Sequence, residues 1–440
     1  MATAMPAGFR ALPIPIAQLS LSAVLKCGQS FRWSIFPLPP AEQRVLDANV
    51  PTYEYRLCLR DRVVCLRQSM DTLFYRAVFP PTVSGDHQER EAETLAWIRD
   101  YFQLDIDLID LYRQWSLADP VFHRVRDRFE GIRMLRQDPF ENLISFICSS
   151  NNNIARITKM VKSLCLTYSP PLLTLPPPAG SDLTEEPYHP FPSPSALAAP
   201  EVTARLRALG FGYRADFIQK TAAMLVDAHG VTVNSQTTLE SSEAWLRTLR
   251  KMSTSDARTE LLKFMGVGRK VADCVLLMSL DKREVIPVDT HVHQIAIKHY
   301  GLRGATKTGA MSPKLYEEVS TKLAAVWGEY AGWAHSVLFT ADLKSFASYG
   351  LASPSTPSTP STPALTPGSV SSRESPGVAT PGSTLVSSKR KRTQLKHVRS
   401  RLVEMEEETL AQLATAVEET LSTDGDSSLA DRVKRRRRGA

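Results

Sequence analysis

Leu262-Lys-Phe-Met-Gly-Val-Gly-Arg-Lys-Val-Ala-Asp-Cys274 is the stretch on which the reading of this chain turns. Gly266 and Gly268 permit a tight turn between two helices and let the backbone come close to a phosphate. The second helix then aims its N-terminal amides, the positive end of its dipole, at that phosphate. Such a helix–hairpin–helix, here about residues 258–282, grips a nucleic-acid backbone without reading its sequence. Two glycines between helices are also the mark of a plain helix–helix turn, so the motif alone decides nothing.

Two neighbours strengthen it. Lys270 sits at the mouth of the second helix, with Cys274 four residues on and on the same face. Nineteen residues after Lys270 comes Pro287-Val-Asp-Thr-His291, in which Asp289 is placed to cap the next helix. Desolvation at a helix N-terminus beside Arg269 favours the uncharged, nucleophilic amine. A carboxylate opposite stabilises the cation that forms as a leaving group departs. A solvated lysine or an ordinary capping aspartate is the better reading of either residue alone; together they favour catalysis.

Outward from this segment, 440 residues are too many for one small core. The net charge of +7 and pI near 9.0 suit a polyanionic partner only mildly, because the stretch from Leu351 onward carries +4 of it. Six scattered cysteines without a C-x-x-C pair disfavour zinc or iron–sulfur sites, and no metal or cofactor is expected. No apolar run is long enough to cross a bilayer, so no membrane partner is expected. The first acidic residue is Glu42, which points faintly to a mitochondrial presequence. Only Arg10 is basic among the first 25 residues, so a plain N-terminal segment is the better reading.

The organisation predicts an α+β protein. Residues 52–68 alternate apolar and polar around Arg60-Asp61-Arg62, as an antiparallel hairpin with one solvated face does. From about Pro120 the pattern turns helical: Asp138-Pro139 starts one helix, Asn151-Asn152-Asn153 interrupts, and Ile154 starts another. Ser169 to Pro194 is proline-rich and reads as a loop or insertion. Further helices end near Gly210, run from about Arg214 to Asp227, flank the glycine hairpin, follow Asp289 and start at Ser312-Pro313. The predicted division is a β-rich domain over 1–118, a helical domain over 119–350, and a disordered tail over 351–440. In that tail Ser-Pro or Thr-Pro pairs recur from Ser353 to Thr380. Two basic clusters, Lys389–Arg392 and Lys434–Arg438, point to a nuclear import receptor and added DNA affinity, and Leu410, Leu413, Val417 and Leu421 to one weak helix. The density of Ser/Thr-Pro sites points to a proline-directed kinase.

The chain resembles the 8-oxoguanine DNA glycosylase/lyase family of the helix–hairpin–helix superfamily over roughly residues 8 to 346. The resemblance rests on Gly28-Gln-Ser-Phe-Arg-Trp33, Ser149-Ser-Asn-Asn-Asn-Ile-Ala-Arg-Ile-Thr158 and Leu209-Gly-Phe-Gly-Tyr-Arg-Ala215. It continues through Gly266-Val-Gly-Arg-Lys-Val-Ala-Asp-Cys274, Pro287-Val-Asp-Thr-His291 and Gly332-Trp-Ala-His-Ser-Val-Leu-Phe339. The resemblance implies an N-glycosylase and abasic-site lyase that flips 8-oxoguanine, paired with cytosine, out of duplex DNA. By position, Lys270 attacks the sugar and forms a Schiff base while Asp289 assists. The Gly28 carbonyl recognises the protonated N7 of the lesion, and Cys274 and Phe339 sandwich it. Asn151 fills the vacated space, Tyr213 wedges the stack, Arg156 and Arg214 read the opposite cytosine, and His291 contacts a phosphate. The implied enzyme is nuclear and monomeric, with at most a minor mitochondrial pool.

Extrusion costs a few kcal/mol and needs such a filler and wedge. Taken by themselves, however, Tyr213 and Phe339 read equally as core aromatics and Asn151 as a helix cap. Two positions depart from the family pattern. His335 stands where a glutamine is usual, offering one donor and one acceptor to a base edge. Met265 replaces the usual proline and is expected to loosen the hairpin. His291 and His293 diverge on a helix and suggest no metal. Among rivals, an endonuclease III-like enzyme requires a four-cysteine cluster and an alkylation glycosylase lacks the lysine. A non-catalytic damaged-DNA-binding or scaffold protein is the alternative from another class.

Overall fold

The computed structural model describes residues 5–39, 50–81, 86–178, 184–233, 238–302 and 312–351; the tail readings lie outside these residues. Up to Ser355 the chain forms a single compact unit. Five antiparallel strands make its sheet: β1 (Arg10–Pro13), β2 (Ser34–Pro37), β3 (Tyr53–Cys58), β4 (Val63–Gln68) and β5 (Thr72–Val78), in the order β1-β5-β4-β3-β2. The hairpin read from residues 52–68 is β3–β4, paired from Glu54 opposite Arg67 to Cys58 opposite Val63.

Alternation sends Tyr55, Leu57, Val64, Leu66, Leu73 and Tyr75 to one face, against Ile98 and Phe102 of helix His87–Tyr101 and its C-terminus. The other face was expected to be solvated, and it is not. Val63, Cys65 and Phe74 pack there with Phe9 and Tyr188. The cover comes from the proline-rich stretch, whose Leu173–Leu175 (β6) and Glu186–Tyr188 (β7) form a two-stranded ribbon. The polar residues that suggested solvent are instead paired. Glu54 is fully buried and accepts from Arg56 at 2.6 Å and from its cross-strand partner Arg67 at 2.7 Å. Arg56 also donates to the Pro176 carbonyl at 2.7 Å, tying the ribbon down. An alternating pattern records polarity, and buried ion pairs satisfy it as well as water does.

Helices also begin earlier than expected, at His87–Tyr101 and Leu108–Ala118. Packing crosses residue 118: Ala23 and Cys27 lie in one core cluster with Trp115, Trp333 and Phe346. The expected helices are present as Pro139–Ile147, Ile154–Tyr168, Val202–Ala208, Arg214–His229, Thr254–Leu261, Arg269–Ser279, Thr290–Tyr300 and Pro313–Trp327. Asp138 caps the first of these through the Phe140 and Glu141 amides, and Ser312 the last through Leu315. This frame gathers Cys27–Gln29, Phe146, helix Arg269–Ser279, the start of Thr290–Tyr300 and helix Ala331–Asp342 around one cleft.

Phe74, 1% exposed beneath the ribbon, measures how much the hidden face contributes. Phe74→Ala is expected to cost about 3–5 kcal/mol in urea unfolding. Leu117→Ala, at an 82% exposed position, should stay within about 0.5 kcal/mol of the parent.

Candidate active site

The hairpin is built around a brace. Gly266 has φ +78°, and a Cβ there would lie 2.4 Å from the Phe217 ring. Gly268 is extended, and the space where its Cβ would point is open, which is the room a close phosphate needs. No side chain caps the helix it precedes, so its first amides stay available. The turn at Met265 is held by neighbours from another helix. The Met265 carbonyl accepts the Thr221 hydroxyl at 2.9 Å, and Phe217 packs against the glycine. Arg269 does not face the amine beside it: its guanidinium bonds Asp273 at 3.1 Å and Glu317 at 2.9 Å.

Lys270 and Asp289 line one pocket, together with Gly28, Cys274, His335 and Phe339. The same two residues border the adjoining groove, shared with Asn151, Gly266, Gly268 and His291. All the residues proposed for chemistry, base contact and hairpin grip therefore meet at one place. The Lys270 Nζ donates to the Ser149 hydroxyl at 2.8 Å and lies 5.0 Å from the Phe146 ring centroid. Asp289 caps its helix as expected, accepting the amides of His291 at 2.9 Å and Val292 at 3.0 Å.

The pocket itself is apolar around a few unpaired groups. His335 is 7% exposed, and neither ring nitrogen has a partner. Burial pushes its pKa down to about 4 against the pull of Asp289, so the ring is neutral at pH 7. A neutral imidazole, one donor and one acceptor, awaits a polar edge there. Burial likewise pushes the Cys274 thiol up to about 12, which makes it a neutral packing surface rather than a second nucleophile. Phe339 is half-buried, 6.1 Å from both the His335 and His291 rings. Gly28 has φ +90°, and a Cβ would press to 2.9 Å on Ile154. No protein donor reaches its carbonyl among the described residues.

Three consecutive asparagines divide three tasks. Asn152 holds the Cys148 carbonyl at 2.8 Å, and Asn153 caps the helix through the Arg156 amide. Asn151 is the remaining one, exposed at φ +48° with its side chain free for another partner, so it is not the cap. Tyr213 is 49% exposed, its ring edge-on to Phe217 at 5.6 Å and its hydroxyl on the Ser150 carbonyl at 3.0 Å. That is an anchored surface ring rather than a core aromatic. Arg156 is exposed and donates to the Gly210 carbonyl at 3.3 Å. Arg214 differs from the expectation of a free reader. It is 3% exposed and holds the carbonyls of Ser150, Asn151 and Phe211 with four of its five N–H groups, so a paired contact with a base requires some of these bonds to be exchanged. His291 is exposed at the groove, 3.9 Å from Asp342.

Sequence reasoning missed Ser149, Phe217, Thr221 and Tyr316. Tyr316 donates to fully buried Asp273 at 2.8 Å and accepts the Val288 amide at 3.0 Å, joining the Lys270 helix to the Asp289 segment. No local pattern marks such residues, because their partners lie many residues away.

Residues 144–322 match the model of the HhH-GPD superfamily of base excision DNA repair proteins. Residues 11–143 match that of the 8-oxoguanine DNA glycosylase N-terminal domain. The N-glycosylase/DNA lyase of Saccharomyces cerevisiae is 35% identical over 357 residues, covering 76% of this chain and 86% of that protein. The N-glycosylase/DNA lyase OGG1 of Arabidopsis thaliana is 35% identical over 339 residues, with 76% and 80% covered. Among solved structures, MBOgg1 in complex with a low affinity DNA ligand superimposes with a TM-score of 0.57 at 26% identity, covering 76% of this chain and 95% of that one. The class is thus that of helix–hairpin–helix base excision repair enzymes. Within it, the chain belongs to the 8-oxoguanine DNA glycosylase family.

The buried imidazole has a measurable signature. Its folded pKa of about 4 lies below the unfolded value near 6.5, so between these limits the unfolded chain takes up the proton first. Stability therefore falls as pH drops from about 6.5 to 4, by on the order of 3 kcal/mol from this group. His335→Gln should flatten that part of the difference curve against the parent in urea unfolding; parallel curves would reject the assignment.

Proposed function

We propose that this glycosylase/lyase extrudes 8-oxoguanine paired with cytosine and removes it through a covalent bond to Lys270. The observation that carries the reading is the convergence of Lys270 and Asp289, each at the start of its own helix, on a pocket that opens into the groove beside the hairpin. The hairpin amides and His291 hold the phosphates, and Asn151 and Tyr213 occupy the gap left in the stack. In the pocket the base lies between Cys274 and Phe339, its N7 hydrogen on the Gly28 carbonyl and its outer edge on His335. Arg156 reads the opposite cytosine, and Arg214 joins it on leaving the Ser150–Asn151 turn.

Once it has given up a proton, the Lys270 amine forms a bond to C1′ as the bond from C1′ to the base nitrogen breaks. The base departs with the electron pair and takes up the proton that the new C–N bond makes acidic. The Asp289 carboxylate offsets the positive charge on the sugar during that exchange. Ring opening gives the Schiff base. Loss of a C2′ proton then expels the 3′ phosphate, and hydrolysis restores the amine.

Borohydride reduces such an imine to a stable crosslink. With duplex carrying 8-oxoguanine opposite cytosine, the parent should be trapped and Lys270→Gln should give no adduct. An adduct that persists in Lys270→Gln overturns the nucleophile assignment. A parent that binds the duplex, is never trapped and releases no base is a non-catalytic damage-binding protein.

The two basic clusters of the tail serve, in this reading, nuclear import and nonspecific DNA affinity tuned by Ser/Thr-Pro phosphorylation. Removing residues 351–440 should shift the enzyme out of the nucleus and shallow the salt dependence of duplex binding. Unchanged location and slope would refute both roles.

A further inference from the structure

A lysine and an aspartate brought into one narrow apolar pocket have a strong tendency to close into an ion pair, because attraction grows as water is excluded. Lys270 and Asp289 share such a pocket, yet the Lys270 amine gives its hydrogen bond to Ser149 and not to Asp289. One oxygen of Asp289, Oδ1, accepts two backbone amides of its own helix, while the Lys270 amine donates to Ser149 and lies against the Cys274 thiol.

The Ser149 bond has a fixed polarity. The hydroxyl has one hydrogen, and this is given to the Phe146 carbonyl at 2.7 Å. Towards Lys270 the oxygen therefore presents lone pairs and accepts only; it cannot take part as a donor to the amine. Phe146 contributes a second restraint, since its ring face lies 5.0 Å from Nζ and attracts a cation. Ser149 is itself held where it is by the turn that ends helix Pro139–Ile147, its amide also bonding the Phe146 carbonyl at 3.1 Å. That turn is the one that goes on to present Asn151.

We infer that Ser149 is a positioning residue for the nucleophile: its hydroxyl keeps the Lys270 amine away from the Asp289 carboxylate and aimed at the pocket. The inference rests on Lys270 being the nucleophile. Ser149 neither transfers a proton nor bonds the substrate; it acts by denying the amine a competing partner. Without it the amine closes on Asp289, and both groups are lost to the reaction while the DNA-binding surface is left intact.

The full chain tests this with three variants on duplex containing 8-oxoguanine opposite cytosine, measured by single-turnover excision and by duplex affinity. Ser149→Ala should excise at least tenfold more slowly with affinity within about twofold of the parent. Ser149→Thr, which keeps the hydroxyl, should restore most of the rate, an outcome that a mere packing role for the site does not give. In an Asp289→Asn background the ion pair cannot form, so adding Ser149→Ala should slow excision by much less than tenfold. Full multiplicative loss in that double variant, or a parental rate in Ser149→Ala, overturns the inference. If Ser149→Ala fails to fold, Ser149→Cys supplies the same comparison with a weaker acceptor of similar size. Failure of the underlying reading looks different: crosslinking then survives Lys270→Gln, whatever Ser149 does.

Discussion

Asp273 is a carboxylate with no exposed surface, and three donors from three elements converge on it. Arg258 reaches it from the first hairpin helix at 2.7 Å, Arg269 from the start of the second at 3.1 Å, and Tyr316 from helix Pro313–Trp327 at 2.8 Å. A buried anion is tolerable only when fully partnered, and removing a partner typically costs about 3–5 kcal/mol. The two hairpin helices are therefore fixed to one another, and through the Tyr316 hydroxyl to the Val288 amide one residue before Asp289. The relative placement of nucleophile and carboxylate follows from this charge cluster. It also explains why Arg269, adjacent to Lys270 in the chain, adds no cation facing the pocket.

Much of the site was legible because its chemistry is local. A glycine pair before a helix, a lysine on its first turn and an aspartate at the next helix start are short patterns with direct physical meaning. What stayed hidden depends on partners far away in sequence. The outer face of the sheet looked solvated because Glu54, Arg56 and Arg67 alternate with apolar residues, and only the ribbon at 173–188 reveals them as a buried network. Arg214 looked like a base reader because the resemblance gives it that role and a guanidinium offers paired donors to cytosine acceptors. In the fold those donors already hold the turn at Ser150 and Asn151. The neighbours of the Met265 turn were hidden for the same reason, since Thr221 and Phe217, which bond and pack against it, lie on helix Arg214–His229.

The pocket separates recognition from reaction by charge. His335 and Cys274 are both kept neutral by burial, His335 by loss of proton affinity and Cys274 by retention of its proton. The surfaces that meet a base therefore present dipoles and a packing face rather than charges, and discriminate by hydrogen-bond pattern. Lys270 and Asp289, the pair proposed to react, line both the pocket and the groove that adjoins it. His335 matters in this scheme because its two unpaired nitrogens are an unmet demand inside the protein. An orphaned buried polar group costs about 1–3 kcal/mol, which a matching base edge recovers and an apolar or wrongly ordered edge does not. The imidazole of His335 thus leaves a hydrogen-bonding demand inside the pocket, while the contacts of Asp273 hold the helix that carries Lys270 in place beside the Asp289 segment.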